Sequence, residues 1–457
     1  MNNYKRIAAG VLAAATVLSL TACGKGGDAQ QTEDVTTTLK TEWTGDNIEV
    51  SVDDGALSDE VDISGKTLKW MGFYDLNPTN DANERSAELA IFEDKYGASI
   101  EYMPTSNAAR FDDLAAAISG GTPPDIFIYE WRTFPYDISK GMYQPIDSLV
   151  DWSDPMWADV KDAADKFIWK GEHYIAPLGY AFSDTQVLMY NTRLVEEEGL
   201  EDPYELYQKG EWDWDTFVNM MKEFVENGTD RYGIGGWWAN AFVYTAGETM
   251  VTYDGTNFKN NMNSAKIERA QLVIEDIFKN GLIERGWIPP QSAFTSNDLL
   301  FYSMGTWAYN DASKSMPDDT IQIVPFPKDP ESDKYYVSNK INAYMWVKGS
   351  ENGDVVKAWF DCNRLVNYDS QYTEVTKEKF LANNPGWTSE MYDIAMDFYD
   401  SDKFVQAYDY GYGLSTYMGD EVMNVLYEGI ANEVSENWVQ TRDEYSSIVD
   451  EEIAVYN

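Results

Sequence analysis

The chain has 457 residues, with 78 acidic against 34 basic side chains and a formal net charge of −44. That balance excludes nucleic acid and anionic membrane surfaces as docking partners, since both require clustered Lys and Arg. A single histidine, His173, and two cysteines, Cys23 and Cys362, exclude multi-histidine zinc centres and disulfide frameworks.

The hydrophobic content of 44% belongs to a folded protein rather than an acidic disordered tail. A single core stops growing at roughly 250–300 residues, so a chain of this length is expected to form at least two lobes.

Lys5 and Arg6 precede an apolar run from Ile7 to Leu20. It is shorter than the about 20 residues of a stable membrane span and reads as a secretory signal over residues 1–22. The run ends in Leu20-Thr21-Ala22-Cys23-Gly24, which resembles the lipobox of bacterial lipoproteins. That resemblance implies that Cys23 is lipidated and that the chain is held at the outer face of the bacterial cytoplasmic membrane. Residues 23–63 are polar and threonine-rich, without a helical or strand period, and are read as a flexible tether.

The body begins with a strand over Lys66–Phe73. A helix over Arg85–Tyr96 follows, with Leu89, Phe92 and Tyr96 on one face and Gly97 ending it. Ile100 and Tyr102 alternate in the next strand. Phe111, Leu114, Ala115 and Ile118 mark a helix that stops at Gly120-Gly121, and Pro123-Pro124 leads into a strand over Asp125–Tyr129. This alternation predicts a parallel sheet covered by helices.

A second unit repeats the pattern. Asp213 or Asp215 caps a helix bearing Phe217, Met220, Met221, Phe224 and Val225, and a strand follows at Tyr232–Gly236. Ser264 caps a helix bearing Ile267, Ala270, Ile274, Ile277 and Phe278. A further strand is expected at Thr306–Tyr309. Cys362 lies in a helix-like stretch as a packed core residue, and Val422, Val425, Leu426, Ile430 and Val434 form an apolar stripe in a helical C-terminal region. The expected fold class is two-lobed α/β.

In open α/β sheets, ligands settle beyond the carboxyl ends of the strands. Those ends carry Tyr74, Asp75 and Asn77; Glu130, Trp131 and Arg132; Trp237, Trp238 and Asn240; and Asn310, Asp311 and Ser313. Aromatic rings cover the C–H face of a sugar, while carboxylates, amides and guanidinium groups satisfy its hydroxyls. A buried hydroxyl left unpaired costs roughly 1–3 kcal/mol. Asp184, at the first expected crossing between lobes, joins this candidate set.

Several stretches in order carry a family resemblance. They are Phe111-Asp112-Asp113-Leu114 through Gly120-Gly121-Thr122-Pro123-Pro124-Asp125-Ile126, then Lys170-Gly171-Glu172-His173-Tyr174-Ile175-Ala176-Pro177-Leu178-Gly179, Val187-Leu188-Met189-Tyr190-Asn191 and Glu198-Gly199-Leu200. Glu211-Trp212-Asp213-Trp214-Asp215-Thr216-Phe217, Phe301-Tyr302-Ser303-Met304-Gly305-Thr306-Trp307-Ala308-Tyr309 and Val324-Pro325-Phe326-Pro327 complete the set. Together they resemble family 1 extracellular solute-binding proteins, the carbohydrate-binding lipoprotein components of ABC importers. The sequence departs from that family at Ala312-Ser313-Lys314, where a glycine, a small residue and tryptophan are common. After Cys362 the match is loose, with Trp387 as one further contact.

The resemblance implies a type II, maltose-binding-protein-like periplasmic-binding fold whose chain crosses between lobes near Gly179–Asp184 and returns near Val337–Asn342. It places the N-terminal lobe at 64–182 plus about 340–385 and the C-terminal lobe at 183–339 plus about 386–457. It also implies a monomer that hands a mono- or oligosaccharide to ABC permease subunits, without cofactor or metal. Hinge closure would supply the state that the importer recognises.

Two other function classes compete. A cationic amine also suits aromatic rings beside carboxylates. A secreted glycoside hydrolase would use two carboxylates about 5–10 Å apart, a requirement that 78 acids always meet and that therefore discriminates nothing. His173 sits in an expected hairpin turn, which favours a surface role over catalysis. The sequence has no Gly-x-Ser-x-Gly, phosphate-binding or dinucleotide-binding motif, and no Asp-x-Asp-x-Asp-Gly calcium loop.

Overall fold

The computed structural model describes residues 37–43, 46–52, 57–58, 61–78, 85–180, 184–285, 291–316, 320–338, 340–384, 386–400, 402–429 and 438–457. The signal segment, Cys23, Ile430 and Val434 lie outside them. The described chain forms two compact units. One comprises the residues up to Phe127 with Asp147–Asp159 and Trp346–Asn383; the other comprises Ile128–Ile146, Val160–Met345 and Asn384–Asn457.

The first unit opens with a correction. The segment expected to be a structureless tether contains two antiparallel strands, β1 (Thr37–Trp43) and β2 (Asp46–Val52), paired from Thr37 opposite Val52 to Trp43 opposite Asp46. Threonine and the branched residues Ile48, Val50 and Val52 favour extended backbone, and only two residues separate the strands.

The main sheet of this unit follows the sequence reading. β3 (Thr67–Gly72) pairs in parallel with β4 (Ser99–Pro104) and with β5 (Ile126–Ile128), with Trp70 opposite both Tyr102 and Ile126. The connecting helices are Ala87–Tyr96, capped by the Ser86 side chain, and Arg110–Ser119. A later segment, the helix Gly353–Tyr368, completes the core. Trp359 meets Phe92 edge-on at 5.3 Å between ring centroids, and Cys362 is fully enclosed. Asp125 anchors β5: one carboxylate oxygen accepts from the Lys69 amide at 2.8 Å, the other from Ser350 at 2.6 Å, and Asn352 reaches both.

In the second unit, β6 (Ala176–Tyr180) runs antiparallel to β14 (Ile341–Trp346), with a register shift between Asn342 and Ala343. Between them in sequence lie β7 (Gln186–Asn191), β8 (Tyr232–Gly236), the hairpin of β9 (Val251–Tyr253) and β10 (Phe258–Asn260), β11 (Leu299–Gly305), β12 (Ile321–Val324) and β13 (Tyr335–Val337). Four of these form a mixed sheet in the order β12-β7-β11-β8, in which only β11 and β8 are parallel. β13 pairs with β15 (Phe404–Gln406).

The helices Trp214–Glu226 and Ala265–Lys279 start at the caps Asp213 and Ser264, as expected. Trp212, Phe217 and Phe301 pack within 6 Å of one another, and the Trp212 and Trp214 indoles donate to the Pro325 carbonyl and Thr245, both at 2.8 Å.

One further expectation is corrected. No strand runs over Thr306–Tyr309, because β11 already ends at Gly305 and a 3-10 turn follows at Thr306–Ala308. The C-terminal region is helical as expected, with π-helical turns at Met418–Val422 and Val425–Gly429 and an α-helix at Trp438–Ile453.

The units also divide the chain differently from the lobes inferred by resemblance. Residues 128–146 and 160–182 belong with the second unit, and the late boundary falls after Met345. Phe134 accounts for the first difference. Its ring lies 5.2–6.2 Å from those of Phe167, Tyr253, Phe258 and Tyr410, all in that unit.

Candidate functional site

Among the described residues of the second unit Trp131, Trp237 and Trp307 are half-buried, unlike the core tryptophans, and the first two follow strand ends. Trp237 follows β8 through a turn at Gly236 with φ of 88°. A methyl group on Gly236 would overlap the Ser303 carbonyl, so this close approach requires glycine. The Trp237 amide donates to the Ser303 carbonyl at 2.9 Å, and the Ser303 hydroxyl donates to the Trp237 carbonyl at 2.8 Å. Gln186 Nε2, on β7, donates to the same carbonyl at 3.2 Å and exchanges reciprocal amide bonds with Asn240 at 3.1 and 3.0 Å. The backbone of Trp237 is thus held by two strands.

Its neighbour Trp238 does not join it. That ring is 1% exposed and packs edge-on against Phe242, at the start of the helix Ala239–Tyr244. Of the two adjacent indoles, Trp237 is the one left half-buried.

Trp131 opens a 3-10 turn after β5, where the Thr133 amide and hydroxyl both donate to the Glu130 carbonyl, at 2.9 and 2.7 Å. The Trp131 ring lies 6.4 Å from that of Tyr412 and rests directly against Gly419. Tyr412 stacks in turn on Tyr427, with centroids 6.3 Å apart and planes 9° from parallel. Arg132 directs its guanidinium to the fully buried Asp137 at 3.4 Å and over the Tyr136 ring. Burial raises the Asp137 carboxyl above its ordinary range, against the pull of Arg132 and Lys140. Arg132 is therefore engaged in an internal ion pair.

The other expected residues are spread around this unit and the first. Asn310 accepts from the buried Trp387 indole at 3.2 Å, Asp311 is exposed and pairs with Lys314 at 2.8 Å, and Ser313 donates weakly to the Asn310 carbonyl at 3.4 Å. Asp184 faces Lys340 at 3.5 Å. In the first unit, Tyr74 is 38% exposed and packs on Trp70 and Phe73, while Asp75 accepts from the backbone and side chain of Asn77 in a local turn. His173 lies beyond the two-residue turn Lys170-Gly171 and faces Asp165 at 3.0 Å.

The sequence reading missed Tyr412, Tyr427, Asp409 and Gln186. The run Tyr408-Asp409-Tyr410-Gly411-Tyr412-Gly413 was the available signal, since aromatics interleaved with glycine mark closely packed turns.

Among the described residues, no three His, Cys, Asp or Glu side chains are placed to hold a metal ion, and no helix is long and apolar enough to cross a membrane.

The maltotriose-binding protein of Pyrococcus abyssi is 21% identical over 348 residues, 70% of each chain. The sugar-binding protein MalE of Xanthomonas citri superposes with a TM-score of 0.64 at 16% identity, covering 85% of this chain and 97% of that one. An ABC substrate-binding protein from Listeria monocytogenes, solved with cycloalternan, gives 0.59 at 15% identity over 85% and 99% of the two chains. These similarities show the fold: two-lobed α/β, like that of maltose-binding protein. Residues 80–362 match the model of the bacterial extracellular solute-binding proteins. The chain belongs to that family and is a binding protein, not an enzyme.

Proposed function

We propose that the protein captures a neutral mono- or oligosaccharide and delivers it to the membrane permease of an ABC importer, acting as a monomer tethered through lipid on Cys23. The observation that carries this reading is the pair of half-buried indoles, Trp131 and Trp237, set among hydrogen-bonding groups rather than sealed in the core. A ring face covers the apolar side of a pyranose, a contact of about 0.5–1.5 kcal/mol beyond the area buried. Glu130 beside Trp131 and the Gln186–Asn240 pair beside Trp237 supply partners for hydroxyls. Tyr74 and Asp75 form a further candidate pair in the first unit. The sugar ligands of the relatives support the same class.

A panel of maltotriose, raffinose, glycerophosphocholine and spermidine tests the reading by thermal shift. A sugar at a hundred times its Kd should stabilise the fold by about 2.7 kcal/mol. Shifts with glycerophosphocholine or spermidine and none with either sugar would replace the sugar reading with the cationic one.

A further inference from the structure

Two ring contacts away from Trp131, through Tyr412 and Tyr427, lies a carboxylate that the proposed binding reaction does not itself use. Asp409 accepts from the backbone amides of Met250 and Val251, both at 3.1 Å, from that of Gly411 at 3.0 Å, and from the Tyr427 hydroxyl. Its donors come from three separate segments: the start of β9, the turn before Tyr412, and the Val425–Gly429 turn.

Two paths lead outward from this point. In one, Tyr427 stacks on Tyr412, and Tyr412 meets Trp131. In the other, the Tyr244 ring meets that of Tyr427 edge-on, with centroids 5.6 Å apart, and its phenol faces the Asn240 side chain. Asn240 then pairs with Gln186, which ends on the Trp237 carbonyl.

We propose that Asp409 is a positioning residue for solute capture, whose carboxylate fixes Tyr427 and, through it, both the Trp131 face and the Trp237 loop. This rests on the reading that those two indoles contact the solute.

The chemistry of the group gives the role a signature. A carboxylate surrounded by four donors has only acceptor sites to offer, and protonation places a hydrogen where a donor already points. Either a donor is lost or the Tyr427 hydroxyl reverses, and the ring shifts against Tyr412 and Tyr244, which pack on it. The titratable groups that act on Asp409 are the phenols of Tyr427 and Tyr244. Burial outweighs the hydrogen bonds and lifts its carboxyl to about 6, so the switch falls near neutrality.

The test labels the protein with 5-fluorotryptophan and assigns the Trp131 and Trp237 fluorine signals with Trp131→Phe and Trp237→Phe. In the wild type both signals should shift between about pH 7.5 and about pH 5, and Asp409→Asn should hold the acid positions at both. Maltotriose should bind the wild type roughly tenfold more weakly in acid, equivalent to about 1.4 kcal/mol, and should bind Asp409→Asn weakly at either pH. Tyr427→Phe keeps the ring and removes only its bond to the carboxylate, so it serves if Asp409→Asn fails to fold.

Fluorine signals insensitive to pH and to both variants overturn the proposal without any sugar being needed. If Trp131→Ala and Trp237→Ala abolish maltotriose binding while Asp409→Asn and Tyr427→Phe bind like the wild type, the positioning role fails alone. If Trp131→Ala and Trp237→Ala bind like the wild type, the reading of the site fails and the proposal with it.

Discussion

Replacing Gly419 by alanine tests the packing that presents Trp131. Gly419 lies in the Met418–Val422 turn, and a methyl group there would overlap Cζ3 and Cη2 of Trp131 and sit 2.8 Å from the Tyr412 carbonyl oxygen. Carbon atoms in favourable contact are about 3.5–4.0 Å apart, so the indole must retreat by more than about 1 Å. The carbonyl is backbone and yields little. Two effects oppose each other. Alanine gains about 1 kcal/mol over glycine in helical backbone, whereas forced overpacking costs typically 1–3 kcal/mol. The second wins, for a net loss of roughly 1 kcal/mol and a fall in Tm of about 1–2 °C. Under the sugar reading proposed above, the affinity for a bound sugar should fall with it, because the ring face leaves its place. Thermal unfolding and titration calorimetry read the two quantities. A smaller residue at 131 should relieve the overlap, so the Gly419→Ala and Trp131→Leu pair should be less destabilising than the sum of its parts. An alanine variant as stable as the wild type, with unchanged affinity, would refute the reasoning.

Three other outcomes follow from described contacts. Asp125→Ala strands the Lys69 amide and the Ser350 and Asn352 side chains, and should cost about 3 kcal/mol in urea unfolding without changing the sugar preference. Asp409 has a carboxyl raised from 3.8 to about 6, so its contribution to stability is complete below the unfolded value and lost as pH rises through the folded one. Relative to Asp409→Asn, the wild type should lose up to about 3 kcal/mol between about pH 4 and about pH 7, read from urea midpoints. Cys362 is fully enclosed and its thiol is pushed well above the ordinary range by burial, so a Cys23→Ser chain should resist a disulfide reagent until urea unfolds it.

Local chemistry was the legible part of the fold. Asp213 and Ser264 cap helices where the sequence places them, because an N-cap needs only its own side chain and the next turn. The strand Tyr232–Gly236 is also found as read. The hairpin before residue 53 was hidden because threonine serves linkers and strands alike. The strand expected at Thr306–Tyr309 was misplaced because the apolar run continues past Gly305, where the backbone turns. In the site, Trp131 and Trp237 could be picked by their position after strands. Their supports could not, because Tyr412, Tyr427 and Asp409 lie far downstream and meet Trp131 only through tertiary folding. Trp238 shows the converse: adjacency in sequence says nothing about which indole turns inward.

The segmented build of the two units bears on how the protein is made. The first unit holds residues up to Phe127, yet its core also needs Trp359 and Phe360 from the segment ending at Asn383. Vectorial synthesis therefore cannot complete it early, and the second unit waits for the final segment as well. Loops of such length must close before their contacts reward them, which slows folding. A nascent chain of this kind can complete neither unit until nearly all of it has left the ribosome.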